Sequence, residues 1–154
     1  MTSIIPNDVI NWDILNEIIS MDEDDPDFSK ELIRQFIEQA KQTFDQIQDL
    51  LQQCASSSDT RSLLQEISNL GHFLKGSSSA LGLTRIAWYC ECIQNYGNLK
   101  NYGGSHTIRQ DNGPNNNNNN IPAFIKLLKN ALKNARIEFE LARSELSKYY
   151  KEEL

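Results

Sequence analysis

Apolar positions in this chain recur every three or four residues over long stretches, and no stretch of length alternates with period two. The pattern is helical throughout, and no sheet is expected. Ile10, Ile14, Leu15, Ile18 and Ile19 share helical spacing. They predict a short first helix, capped by Asn7 or Asp8 and stopping near Ser20. The acidic run Asp22-Glu23-Asp24-Asp25 and Pro26 read as a loop. Asp27 is placed to cap a second helix. Its apolar residues Phe28, Leu32, Phe36, Ala40, Phe44, Ile47 and Leu51 advance by three or four and form one stripe.

Glycine and proline mark the boundaries. All seven glycines lie between Gly71 and Gly113, and neither residue occurs in Asp27–Leu70 or Ala123–Leu154. Both stretches can therefore be long helices. Ser56 to Asp59 is a loop ending in a cap. A third helix follows, with Leu63, Ile67, Leu70, Leu74, Ser77, Ser78 and Leu81 inward, ending near Gly82. Thr84 is the cap candidate for a fourth helix, which carries Ile86, Ala87, Cys90 and Ile93 on one side and ends at Gly97. Residues 98–121 are polar, rich in Gly and Asn, and include Asn115 to Asn120. Such a segment buries too little apolar surface to offset its ordering entropy, and a flexible polar loop is expected. The last helix is predicted from Pro122 to about Tyr150, with Phe124, Leu128, Ala131, Ala135, Phe139, Ala142, Leu146 and Tyr149 inward. The expected fold is all-α: an up-down-up-down four-helix bundle, residues 1–154 as one domain, with an additional short N-terminal helix.

Charge and composition narrow the function. The chain has 154 residues, 15 Lys and Arg against 21 Asp and Glu, and a net charge of -6. That balance argues against a nucleic-acid partner, which needs a basic face. No apolar run approaches the roughly 20 residues of a membrane span. The N-terminus lacks the basic start and apolar core of a secretory signal. Three cysteines, an odd count, are too few for a disulfide scaffold, so a reducing compartment is the simpler reading. The first 31 residues hold nine acidic side chains and one lysine. They form either a solvated surface or a docking rim for a partner with basic groups.

One histidine breaks the pattern. His72 sits in the third helix between Gly71 and Gly76, and each helical glycine costs about 1 kcal/mol relative to alanine. At about 100° per residue with Ile67 at zero, the apolar positions centre near 320°, whereas His72 falls near 140°. His72 is therefore expected outside the bundle, with Lys75 and Gly76 one turn on and Ser79 nearby. A solvated imidazole is largely neutral near pH 7, has a free lone pair, and can attack phosphorus to hold a phosphoryl group as a phosphoramidate. Lys75 would supply positive charge, Ser79 a weaker hydrogen bond, and Gly76, having no Cβ, room for another molecule. The alternative is an ordinary surface histidine, with both glycines serving helix packing. A metal site is not expected, because His106 lies in the loop and no cysteine pair has zinc spacing. Gly76 to Gly82 does not read as a phosphate loop, since no Lys-Ser/Thr follows Gly82.

The stretch His72-Phe-Leu-Lys75-Gly76-Ser77-Ser78, followed by Leu81-Gly82, resembles the active-site motif of histidine-containing phosphotransfer (HPt) domains. Further stretches, Ile10 to Met21, Phe28-Ser29-Lys30, Ile86-Ala-Trp88, Cys90-Glu91 and Leu141 to Tyr150, are similar to the fungal single-domain phosphorelay intermediates of osmotic stress signalling. The resemblance implies a phosphocarrier, not an autonomous kinase. It would accept a phosphoryl group on His72 from the receiver-domain aspartate of a hybrid sensor histidine kinase and pass it to a response-regulator receiver. Lys75 takes the family's cationic position and Gly76 its close-approach position. Ile14, Leu15, Ile18, Met21 and Phe28 match the receiver-docking surface, with core packing as the alternative for each. Ser79 and Gln94 are counted with that surface. Many relatives carry a basic residue where Cys92 stands, and its loss is expected to weaken a receiver or phosphate contact. The resemblance further implies no cofactor in this chain, Mg²⁺ held by the partner receiver, a monomer that binds neither nucleic acid nor membrane, and residence in both cytoplasm and nucleus.

Overall fold

The computed structural model describes residues 5–100 and 116–154. Among these residues there are five α-helices and no strand: α1 (Trp12–Ile19), α2 (Phe28–Cys54), α3 (Thr60–Ala80), α4 (Thr84–Gly97) and α5 (Asn116–Tyr150), with a 3-10 turn at Ser20–Glu23. The four longer helices form an antiparallel ring. Lys75 pairs with Glu91 across α3 and α4, Arg85 with Glu138 across α4 and α5, and Arg136 with Asp45 across α5 and α2. Within it, Phe44 meets Phe139 edge-on at 5.6 Å, and Ile33, Ile47, Ile67, Leu74, Ile93 and Leu128 are fully buried. The polar faces of these helices leave burial of one stripe as the organising force.

The short α1 is held in place by the turn between α3 and α4. The Asn11 amide donates to the Gly82 carbonyl at 2.7 Å, and the Thr84 hydroxyl to the Asp8 carbonyl at 2.8 Å. Gly82 has φ 78, and a Cβ there would stand 2.6 Å from the Asn11 oxygen, so this crossing requires glycine. Asn11, not Asn7 or Asp8, caps α1, its side chain accepting the amides of Asp13 and Ile14. Thr84 caps nothing, because its hydroxyl serves the N-terminal strap.

Capping departs from the sequence reading at three further ends. Asp27 is the N-cap of α2, but it lies in the left-handed region at φ 68 and its side chain caps nothing. Asp22 supplies the missing acceptor from seven residues back, its carboxylate taking the Ser29 amide at 2.7 Å. At the end of α4, Asn98 to Lys100 are fixed, contrary to the flexible loop expected from residue 98. The Leu99 amide donates to Tyr96 and the Lys100 amide to Asn95, a Schellman closure that holds Leu99 at φ 60 and buries its side chain. The helix α5 begins at Asn116, so Asn116 to Ile121 of the predicted loop are helical and Pro122 lies inside the helix. The rest of the predicted loop, 101–115, with His106, lies outside the described residues. Tyr149, expected inward, is exposed and packs its ring 5.3 Å from Trp12.

All three cysteines are free and buried. Burial pushes the Cys90 thiol far up, the Cys92 thiol from about 9 up to about 12, and the Tyr96 phenol up to about 12. Above about pH 9 the unfolded chain releases thiol protons that the folded chain keeps, so the folded state binds more protons and stability falls as pH rises. The expected loss is about 1.4 kcal/mol per pH unit for each thiol. Urea unfolding near pH 8 and near pH 10 measures it; equal stabilities at the two would contradict sealed thiols.

Candidate functional site

The buried residues of α3 are Leu64, Ile67, Ser68, Gly71, Leu74 and Ser78. Their directions centre near about 30° on the wheel that places Ile67 at zero. The inward face is thus turned toward α4 relative to the leucine-weighted expectation, and Leu63, Leu70 and Ser77 are only partly buried. Small residues cause the turn. A Cβ on Gly71 would stand 2.9 Å from the Cys90 carbonyl oxygen and the Gln94 nitrogen, and one on Gly97 2.7 Å from the Leu64 oxygen. The Ser68 hydroxyl donates to the Gln94 carbonyl at 2.8 Å across the same seam. The two backbones meet where side chains are smallest, and the leucines fall to the flanks.

His72 remains exposed on this seam-directed helix. It lies about 110° from the buried centre, at the α4 edge of the outer face rather than opposite the core. Gly76, one turn on, is exposed, and nothing lies within 4 Å of where its Cβ would be. The two glycines around His72 therefore differ: Gly71 permits helix contact, and Gly76 leaves the approach to the imidazole uncovered. Ser79 is exposed on the same face, its hydroxyl free to turn toward an incoming oxygen.

Lys75 is half-exposed, and its Nζ lies 3.0 Å from Glu91 Oε1 on α4. Sequence reasoning about α3 missed Glu91, because only the packing of α4 brings it there. Gln94 follows Glu91 by three residues on α4 and is partly exposed. Phe73, also missed, is 47% exposed beside His72. Its position on the wheel, about 80° from the predicted core centre, was the available signal.

The predicted docking residues divide. Leu15 is fully buried and belongs to the core, since α1 directs it inward between the longer helices. Ile14, Ile18 and Phe28 are partly exposed, and Met21 is 53% exposed. A groove of about 220 Å³ between α1, α2 and α3 is lined by Ile18, Leu32, Phe36, Ala80 and Leu81, with Gln35 and Gln39 at its polar edge. Cys92 corrects another expectation. Its side chain is 2% exposed and faces Tyr96, so the cysteine itself offers no surface to a partner or phosphate. Among the described residues no three His, Cys, Asp or Glu side chains come together to hold a metal ion, and no helix is long and apolar enough to cross a membrane.

An uncovered imidazole, a cation one turn away and an apolar groove within the same three helices suit transfer of a phosphoryl group to and from a docked protein. Comparison with known proteins agrees. Residues 31–138 match the family described as Hpt domain. The chain is 46% identical to the phosphorelay intermediate protein YPD1 of Saccharomyces cerevisiae, over 96% of this chain and 97% of that one. Identity to the phosphorelay intermediate protein YPD1 of Candida albicans is 33%, over 92% of each. The crystal structure of the yeast phosphorelay protein YPD1 superposes with a TM-score of 0.78 at 45% identity, covering 98% of this chain and 100% of that one. A co-crystal structure of the Saccharomyces cerevisiae histidine phosphotransfer signaling protein Ypd1 with the receiver domain of its downstream response regulator Ssk1 superposes with a TM-score of 0.76 at 46% identity, over 98% of this chain and 100% of that Ypd1 chain.

Proposed function

As this chain belongs to the Hpt domain family, we propose that it is the phosphocarrier of a multistep His–Asp phosphorelay in osmotic stress signalling, with His72 as the carrier. It accepts a phosphoryl group from the receiver aspartate of a hybrid sensor histidine kinase and donates it to the receiver aspartate of a response regulator. The observation that carries the assignment of the residue is an exposed His72 with open space over Gly76.

The chemistry needs little from this chain. An imidazole nitrogen attacks phosphorus, the phosphorus–oxygen bond of the aspartyl phosphate breaks, and the carboxylate leaves with the bonding pair. Donation to the next receiver is the reverse. Because the transition state is loose, positioning and charge neutralisation dominate. Lys75 is the neutralising group on this side, and Glu91 holds it beside the imidazole until phosphoryl oxygens arrive. Lys75→Ala is expected to slow transfer about tenfold, the loss of one charge-assisted contact; unchanged rapid-quench rates would remove Lys75 from the mechanism. The chain itself carries no cofactor, and the Mg²⁺ required by the aspartyl phosphate is held by the receiver.

Docking uses Ile14, Ile18, Met21 and Phe28 with the groove above Leu32, while Ser79 and Gln94 border His72. A monomer suffices, and residence in both cytoplasm and nucleus fits a carrier that serves regulators in each. The test is to incubate the chain with a receiver carrying labelled aspartyl phosphate. Acid-labile, alkali-stable label on the chain supports the carrier. Receiver binding without label would make it a bundle that only sequesters receivers. Turnover of nucleotide without a receiver would make it an enzyme of another class.

A further inference from the structure

The C-terminus of α5 reaches back to the N-terminal end of α2, beside the exposed Met21. Ser29 is fully buried there and joins three segments of the chain. Its hydroxyl donates to Asp22 Oδ2 at 2.6 Å, and its amide to Asp22 Oδ1 at 2.7 Å. The Tyr150 hydroxyl lies 2.6 Å from the Ser29 oxygen. A serine has one proton, and the Asp22 carboxylate takes it, so the Tyr150 hydroxyl must donate. The result is a directed chain from Tyr150 through Ser29 to Asp22. Glu152 adds ion pairs to Lys30 at 3.3 Å and to Arg34 at 2.7 Å, and Tyr149 stacks near Trp12 of α1.

The turn so held has few other restraints. Between Met21 and Phe28 the backbone bonds outside the 3-10 turn are those of Asp24 and Asp25 to the Met21 carbonyl, of Phe28 to the Asp25 carbonyl and of Glu31 to the Asp27 carbonyl, and Asp27, at φ 68, pairs with Lys30 at 3.6 Å. Met21 immediately precedes Asp22, and Phe28 immediately precedes Ser29, so the two docking side chains flank the braced pair. We propose that Tyr150 is a positioning residue for receiver docking: its hydroxyl, through Ser29 and Asp22, fixes the turn that presents Met21 and Phe28. This inference rests on the docking face proposed above.

Tyr150→Phe removes the donor and keeps the ring, which packs 4.8 Å from Tyr149. With a phosphorylated receiver as donor, the variant should raise KM for the receiver about fivefold, the equivalent of one hydrogen bond. The maximal rate should stay unchanged, because His72, Lys75 and Gly76 are untouched. A role in bundle stability alone would leave KM unmoved at temperatures where the variant is folded. Ser29→Ala breaks the same chain at its middle and should give the same KM effect, which keeps the test available if Tyr150→Phe folds poorly. In a Met21→Ala/Phe28→Ala background, Tyr150→Phe should add nothing. If Met21→Ala/Phe28→Ala leaves KM unchanged, the docking face is wrong and this inference falls with it. If that pair raises KM while Tyr150→Phe and Ser29→Ala do not, or if they lower the maximal rate instead, the inference alone is overturned.

Discussion

His72→Gln is expected to abolish phosphoryl transfer to this chain, to at least a thousandfold below wild type, since the nucleophiles that remain nearby, the Lys75 amine paired with Glu91 and the weakly nucleophilic Ser79 hydroxyl, do not replace an imidazole. Glutamine keeps polarity and helix propensity but has no lone pair able to form a stable phosphoramidate. His72 is exposed and lies off the buried face of α3, so the fold should survive the exchange. Surface substitutions of this kind change stability by about 0.5 kcal/mol or less. Receiver affinity should also hold, because the apolar contacts assigned to docking lie elsewhere on α1, α2 and the groove. Side-by-side labelling of wild type and His72→Gln, with a thermal melt of each, checks all three statements. Label retained by the variant would place the carrier on another residue.

The glycines should show a comparable contrast. Gly97→Ala and Gly71→Ala each put a methyl group against backbone of the neighbouring helix, at 2.7 Å and 2.9 Å. Backbone cannot swing aside as a side-chain tip can, so α3 and α4 must part. The expected loss is about 1–3 kcal/mol of stability for each. Gly76→Ala meets nothing within 4 Å and should stabilise the free protein by about 1 kcal/mol through helix propensity. The same variant should slow phosphoryl transfer, because the added methyl occupies the space through which the receiver aspartate approaches. Urea unfolding and transfer rates for the three variants decide this. A Gly76→Ala protein that is both destabilised and fully active would reverse the roles given to these glycines.

The contrast also shows how far local pattern reaches. Gly71 and Gly76 look alike along the chain, both being breaks in a helical sequence beside His72. What separates them is where α4 lies, and that is decided by Ser68, Gly71 and Gly97 together. The same distinction applies to Leu15 and Ile14, both apolar neighbours in α1, of which only Leu15 is buried. It applies to Cys92 as well, where a departure from the family pattern at a supposed contact proves to be a core position.

From residue order alone came the helices, their approximate limits, the loop at Ser56 to Asp59, and an imidazole outside the bundle with Lys75 and Gly76 one turn away. These follow from periodicity and from the short reach of side chains along a helix, both local properties. The HPt motif, read on the same residues, added the phosphocarrier chemistry. Folding in three dimensions settled which acceptor caps α2, the closure at Leu99, the pairing of Lys75 with Glu91, and the clasp of Tyr150 on Ser29. Each of these joins residues through the packing of helices or the path of a turn. Such pairings depend on the closest approach that small residues allow, and that distance is a property of two surfaces, not of either sequence segment.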